Sequence, residues 1–421
     1  MSMTSRERLI ATLNHEQPDR VCVDFGGTHV TGISASAVSL LRKRLFGDSD
    51  YRVKINEPYQ MLGEIDDELM NALGIDMVGV LPPKNMFGFE NKDWKPFTMF
   101  DGTEVLVPGN FNLTPDGNGG WFIHPEGDTS VPPSGHMPKG GYYFDAIPRQ
   151  GFIDEDGLNP EDNLEEFGLL DDATVRHFAD AARKASAAGK GAILSVPGTG
   201  FGDIALVPAM WMKKTKGIRD IEEWYVSTAI RRDYVYKVFE KQCEIALKNL
   251  DVLAKAIGDN VQAAFTTGTD FGTQNGLFIS KESYRDLFKP FHKTINDFIH
   301  ARTSWKVFIH SCGSVIELIP DFIEAGFDIL NPVQCSAAGM QGQQLKKTYG
   351  KDMVFWGGGV DTQRTLPFGT PQDVYRQVRE RVELFNKDGG FVFNTIHNIQ
   401  AKTPVENIMA MFSAIKDSAV K

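Results

Sequence analysis

The sequence predicts a (β/α)8 TIM-type barrel carrying a β-rich insertion, and three observations lead there. From about residue 190 onward, short apolar runs alternate with helical patterns; the runs fall at 192–196, 261–266, 306–309, 328–333, 353–356 and 390–394. Strands separated by helices pair in parallel through right-handed crossovers. Two further runs, at 21–25 and near 76–81, bring the strands to eight, which favours a closed barrel over an open sheet. Residues 95–150 break this rhythm with Gly, Pro and Asp between aromatic residues.

In chain order, the opening residues 1–13 read as the start of a helix, without the long apolar core of a signal peptide. Helical patterns follow at about 219–257, 281–302, 314–325, 340–349, 371–386 and 403–417. Thr370-Pro371 is an N-cap followed by proline at the first helical position, and Thr403-Pro404 repeats it. Within 95–150, Asp101-Gly102 and Asp116-Gly117 stand between β-prone runs as hairpin turns. The excursion is expected to cover one end of the barrel, as a lid or as a packing or dimerisation flap.

Bulk composition narrows the classes. The 421 residues, 42% hydrophobic, suffice for one large domain over residues 1–421 with the insertion inside it. A formal charge of −11 argues against a nucleic-acid partner, which demands clustered Lys and Arg. No apolar run reaches the roughly 18 residues of a membrane span. Four cysteines are too few for a disulfide scaffold, so a cytoplasmic protein with reduced thiols is expected. Cys22 and Cys243 fall in strand-like and helical runs and read as core residues.

Catalytic groups of a parallel barrel come from the C-terminal strand ends and the loops after them. Those positions hold Asp24, Asp270, His310-Ser311-Cys312, Cys335, Gly357-Gly358-Gly359 with Asp361, and His397. Imidazole nitrogen and thiolate sulfur suit a four-coordinate Zn²⁺, so His310, Cys312, Cys335 and His397 are candidate metal ligands. The spacing H-x-C, then 22 residues, then C is not that of a zinc finger; it fits discontinuous ligands on a barrel rim. A Cys–His nucleophilic pair and a plain strand-end turn are the alternatives. Positions i and i+2 of a strand point to opposite faces, so either arrangement needs a bend, which Gly313 would allow. Asp270 is a candidate acid, base or substrate anchor, with a turn or helix cap as the alternative. Asp24, Gly358 and Asp361 are candidate cofactor contacts, although the glycines also suit a tight loop. Glu57, Tyr59 and Gln60 form a polar cluster, and His29 is expected at the surface.

Several stretches resemble the uroporphyrinogen decarboxylase superfamily, especially its methyltransferase branch. They are "SRERLIATLNHEQPDRVCVDF", "GLFISKESYRDLFKPFHKTI", "FIHSCGSVIELIPDFIEAGFDILNPVQ", "GGVDTQRTLPFGTPQDV" and "GGFVFNTIHNIQAKTPVENIMAMFSAI". The similarity is loose over the first 80 residues and good over 190–417, and the insertion is outside it. The resemblance implies a distorted (β/α)8 barrel, often a homodimer, with its cleft at the C-terminal strand ends. The decarboxylases carry an arginine-containing stretch where this chain reads "VCVDFGGTHVTG", without arginine. A macrocycle bearing many carboxylates needs that positive charge. The methyltransferase branch holds zinc through H-x-C and a distal Cys, and His310 and Cys312 match the H-x-C. At the distal position this chain has His397 in "FNTIHNI", which leaves Cys335 to supply a further thiolate.

The resemblance therefore implies zinc-dependent methyl transfer between a corrinoid protein and a small thiol or methylated substrate. No D-x-H-x-x-G cobalamin-binding stretch occurs, so the corrinoid is expected on a separate protein. The rival expectations are a cofactor-free decarboxylase using Asp270 and His397, and a non-catalytic component of a methyl-transfer system.

Overall fold

In the computed structural model, residues 3–418 are described. Eight strands form one parallel sheet: β1 (Cys22–Val23), β2 (Met77–Val80), β3 (Gly191–Ser195), β4 (Ala263–Thr267), β5 (Lys306–His310), β6 (Ile329–Asn331), β7 (Val354–Trp356) and β8 (Phe391–Phe393). The sheet runs β1-β8-β7-β6-β5-β4-β3-β2, with every neighbouring pair parallel. Each expected strand run overlaps an observed strand. The seam between β1 and β2 is closed by Asp76: its N–H donates to the Val23 carbonyl at 2.8 Å, and its Oδ2 accepts from the Val23 N–H at 3.0 Å. The result is a nearly closed (β/α)8 barrel.

Strand alternation explains where the core lies. Cys22, Met77, Ile193, Ala263, Phe308, Ile329, Val354 and Val392, one from each strand, pack into a single interior cluster. Leu9 and Leu13 of the first helix, Ser5–Leu13, join it, so this helix plugs the N-terminal end. The residues facing outward pack against the surrounding helices in a second, larger cluster. With one end plugged and the interior filled, the C-terminal strand ends are left to build a site.

Several helical expectations change: that at 314–325 shortens to Ile319–Glu324, and that at 281–302 contains a π-helical turn at Tyr284–Phe288. The pattern at 219–257 is two helices, Ile221–Ile230 and Arg232–Ile257, broken at Arg231. That arginine is pinned by Glu155 and Glu223, and its backbone leaves the helical region at φ −121° and ψ 44°. Thr370 caps Pro371–Phe385 through a capping box, as its sequence implies. Thr403 does not cap the last helix, Val405–Lys416: its hydroxyl donates back to the Gln400 carbonyl, and Pro404 occupies the N-cap.

The segment 95–150 forms β-structure, but not by itself. Lys95–Thr98 and Glu104–Val107 make a hairpin around Asp101-Gly102, and Glu104–Val107 pairs with Val53–Glu57. The alternation Val53-x-Ile55 was the sequence signal for that partner strand. A second antiparallel sheet joins Leu113–Pro115, Trp121–Ile123, Gly135–Met137 and Asp145–Ala146. Arg149 holds the end of this segment to the loop after β3 by donating to the Ala209 and Met212 carbonyls. Among the described residues, no helix is long and apolar enough to cross a membrane.

Candidate functional site: a histidine–cysteine cluster on the floor of a large cavity

Strand β5 ends at His310, and the chain then turns sharply. Gly313 takes φ +85°, where an L side chain is strained, and a Cβ there would stand 2.5 Å from the Thr273 carbonyl oxygen. The Gly313 N–H donates to Gln334 Oε1 at 2.8 Å, and the Cys312 N–H donates to Asp270 Oδ1 at 2.6 Å. This bend brings two side chains of opposite strand parity together: Cys312 Sγ lies 3.4 Å from His310 Nε2. His397, in the loop after β8, packs edge-on against His310 with ring centroids 5.5 Å apart. One ligand atom from each of His310, Cys312 and His397 lies within 4.8 Å of the others.

The electronic state of these groups suits a cation. His310 Nδ1 is 2.6 Å from Asn331 Oδ1, an atom that can only accept. The ring proton is therefore on Nδ1, and the Nε2 lone pair points towards the sulfur. Asn331 is itself fixed by donating to the Trp356 carbonyl at 2.8 Å. Such a partner on the far nitrogen is how metal-binding imidazoles are oriented. Burial pushes both His310 and His397 down to about 4, so each ring is neutral at ordinary pH. Burial, with the Asp270 charge added, pushes the Cys312 thiol well above its usual value. A thiol in that setting ionises only with a cation beside it. Asp270 Oδ1 stands 4.0 Å from His310 Nε2, and burial raises its carboxyl too.

The cluster opens into a cavity of about 750 Å³ bounded by the loops after β1 to β5 and β8 and by the accessory sheets. Its wall is mostly apolar and aromatic, including Phe167, Trp211, Trp224, Phe239 and Phe265. Five acids line it: Glu166 is paired with Arg219 and Glu126 with Lys213, and Asp270, Glu57 and Asp203 have no Lys or Arg partner among the described residues. Burial raises Glu57 to about 7, against the N–H groups of Gln60 and Tyr59 that favour its charge. Burial raises Asp203 to about 6, with the Asp270 charge contributing. His29, expected at the surface, is half-buried on this wall, and burial lowers it to about 4. Asp203 was missed in the sequence because it follows the glycine-rich run 198–202 with no ligand-type neighbour.

Other expected site residues lie elsewhere. Cys335 stays outside the cluster; it packs at the edge of the outer core, and the Arg381 charge acts on it there. Asp24 is fully buried inside the barrel, where its carboxylate accepts from Trp356 Nε1 and the Gly27 N–H, both at 2.9 Å. It does not line the cavity. Gly358 makes a tight loop: at φ +83°, a Cβ would stand 2.2 Å from the Val333 carbonyl oxygen. Asp361 accepts from the N–H groups of Gln363 and Arg364 and so closes a turn. Neither borders the cavity. Cys22 and Cys243 are core residues, as their patterns imply.

A family model described as uroporphyrinogen decarboxylase (URO-D) matches residues 158–418, more than half of the chain. The chain belongs to the URO-D family. Among relatives of this URO-D protein is a methylated-thiol–coenzyme M methyltransferase of Methanosarcina mazei, 28% identical over 146 residues. That match covers 34% of this chain and about a third (35%) of the relative's length. A solved methyltransferase from Methanosarcina mazei shares the fold with a TM-score of 0.55, at 13% identity, over 99% of both chains.

Proposed function

We infer that this URO-D protein is a methyltransferase that moves a methyl group between a corrinoid protein and a small thiol or methylated substrate, with Zn²⁺ held by His310, Cys312 and His397. The observation that carries the metal is the cluster itself: two neutral imidazoles and a thiol converge, and Asn331 leaves the His310 Nε2 lone pair directed at the sulfur. Three protein ligands with a fourth position open to substrate is the pattern of catalytic zinc sites. When bound, the ion supplies Lewis acidity to a thiol or to a methyl-bearing heteroatom. The methylated-thiol–coenzyme M methyltransferase named above supports methyl transfer.

The chain's own residues supply the rest. Asp270 fixes the Cys312 backbone and offers a negative charge beside the cluster. The aromatic wall excludes water and seats the substrate. A polycarboxylate suits this cavity poorly. Of its two basic wall residues, Arg219 is engaged by Glu166 at 2.6 Å, which leaves one largely exposed lysine, Lys84.

Elemental analysis of untagged protein tests the reading. About one zinc per chain is expected, lost in both His310→Ala and Cys312→Ala, with methyl transfer from or to an added corrinoid protein lost in parallel. No metal after incubation with zinc and reductant overturns it.

A further inference from the structure

The charge of the cavity narrows its ligand. Arg219, the buried basic residue of the wall, is held by Glu166 at 2.6 Å, and Lys84 is largely exposed. Asp270 adjoins the metal-ligand cluster and belongs to its charge balance. That leaves Glu57 and Asp203, both over nine-tenths buried, with only backbone N–H partners and no cationic side chain. Both charges act on the Tyr59 hydroxyl, which burial, and then these acids among others, raises to about 12. Both acids line the same cavity as the Tyr59 ring.

An independent observation points to a missing polar ligand. Ser195 Oγ and Trp224 Nε1 both belong to the cavity wall, in residues 7% and 3% exposed, and neither has a hydrogen-bond partner among the described residues. Buried polar atoms are ordinarily satisfied; Trp224 Nε1–H can only donate, so it suits a hydroxyl or other acceptor on the guest, and the ammonium group falls to the acids and aromatic faces. Aromatic faces together with buried carboxylates are the surroundings in which methylated ammonium ions are bound, by cation–π attraction and charge.

We propose that the cavity binds a methylated ammonium ion between its aromatic wall and the carboxylates of Glu57 and Asp203. As a statement of substrate class this rests on the methyl-transfer reading; as a statement of binding it does not. The test is calorimetric titration of the zinc-loaded protein at pH 8, where Glu57 and Asp203 are ionised, with choline and with its uncharged isostere, 3,3-dimethylbutan-1-ol. Choline should bind tighter by about tenfold or more. Asp203→Asn and Glu57→Gln should each remove most of that preference and leave the alcohol's affinity unchanged, which also shows that the variants are folded. Equal binding of the two probes by the wild-type protein, no binding of choline, or variants that fold and still prefer choline would each overturn the proposal. Zinc content measured on the same samples separates the two readings. A preference for choline in protein that takes up no zinc removes the methyl-transfer reading and leaves the cation site standing.

Discussion

Glu57 holds its proton up to about pH 7 because burial penalises the carboxylate more than two backbone donors favour it. Its folded value lies above the ordinary 4.5. The stability that the protonated form contributes is therefore complete below pH 4.5 and is lost as pH rises through 7. A shift of this size corresponds to about 3 kcal/mol at pH 8. Glu57→Gln removes the titration. It also turns one backbone N–H towards an amide NH2, a pH-independent cost of about 1 kcal/mol. Urea unfolding at pH 5 and pH 8 should show the variant gaining on the wild type by about 2–3 kcal/mol over that interval; a constant difference would mean that Glu57 is charged throughout. A residue that costs stability while facing a cavity is the mark of a site kept for binding. At this scale the sequence was legible where residue type fixed the chemistry. Strand-end position anticipated that His310, Cys312 and His397 converge. It misled for Cys335, because the direction of a side chain after a strand depends on the loop. Cys335 packs at the edge of the outer core instead.

Gly313 shows how one turn assembles a site from a strand. Its φ of +85° costs an L residue about 1–2 kcal/mol. The Gly272 backbone, at 2.6 Å from a built Cβ, adds a collision that side-chain movement cannot relieve. Gly313→Ala should therefore lower the unfolding free energy by about 2–4 kcal/mol. It should also weaken zinc retention against a chelator, because the displaced loop carries Cys312. Retention equal to wild type in a destabilised variant would show that the Cys312 position is held by Asp270 alone. Element type was the most legible level. All eight strands coincide with apolar runs, since a buried parallel strand must be apolar on both faces. The break at Arg231 was not legible, because it depends on Glu155, distant in sequence, and propensity carries no such information. The Val53–Glu57 strand is half-buried, so its short alternation was easily passed over beside the stronger runs.

At the scale of the molecule, the barrel must join strands far apart in the chain, and its weakest join is the seam between β1 and β2. No strand pairing bridges them; Asp76 does, with its backbone and its side chain. Arg8, 4% exposed, donates to Asp76 Oδ1 at 2.7 Å, and Arg20 donates to both carboxylate oxygens at 2.7 and 2.8 Å. This also fastens the plugging helix to the sheet, because Ser5 Oγ reaches the same carboxylate at 2.7 Å. The loops that follow β1 and β2 carry His29 and Lys84 into the cavity wall, so the seam steadies one side of the site. Asp76→Ala leaves Arg8 with Asp19 as its remaining acidic partner and strips the Val23 N–H of its acceptor. Breaking a buried ion pair from one side costs about 3–5 kcal/mol, and that loss is expected in urea unfolding. Asp76→Asn keeps an acceptor for Val23 and should lose less. Arg20→Ala, removing a partner that is 26% exposed, should lose less still, about 1 kcal/mol or under. If Asp76→Ala unfolds within about 1 kcal/mol of the wild type, the interior cluster of one apolar residue per strand closes the barrel by packing alone, and Asp76 only sets the register of the seam.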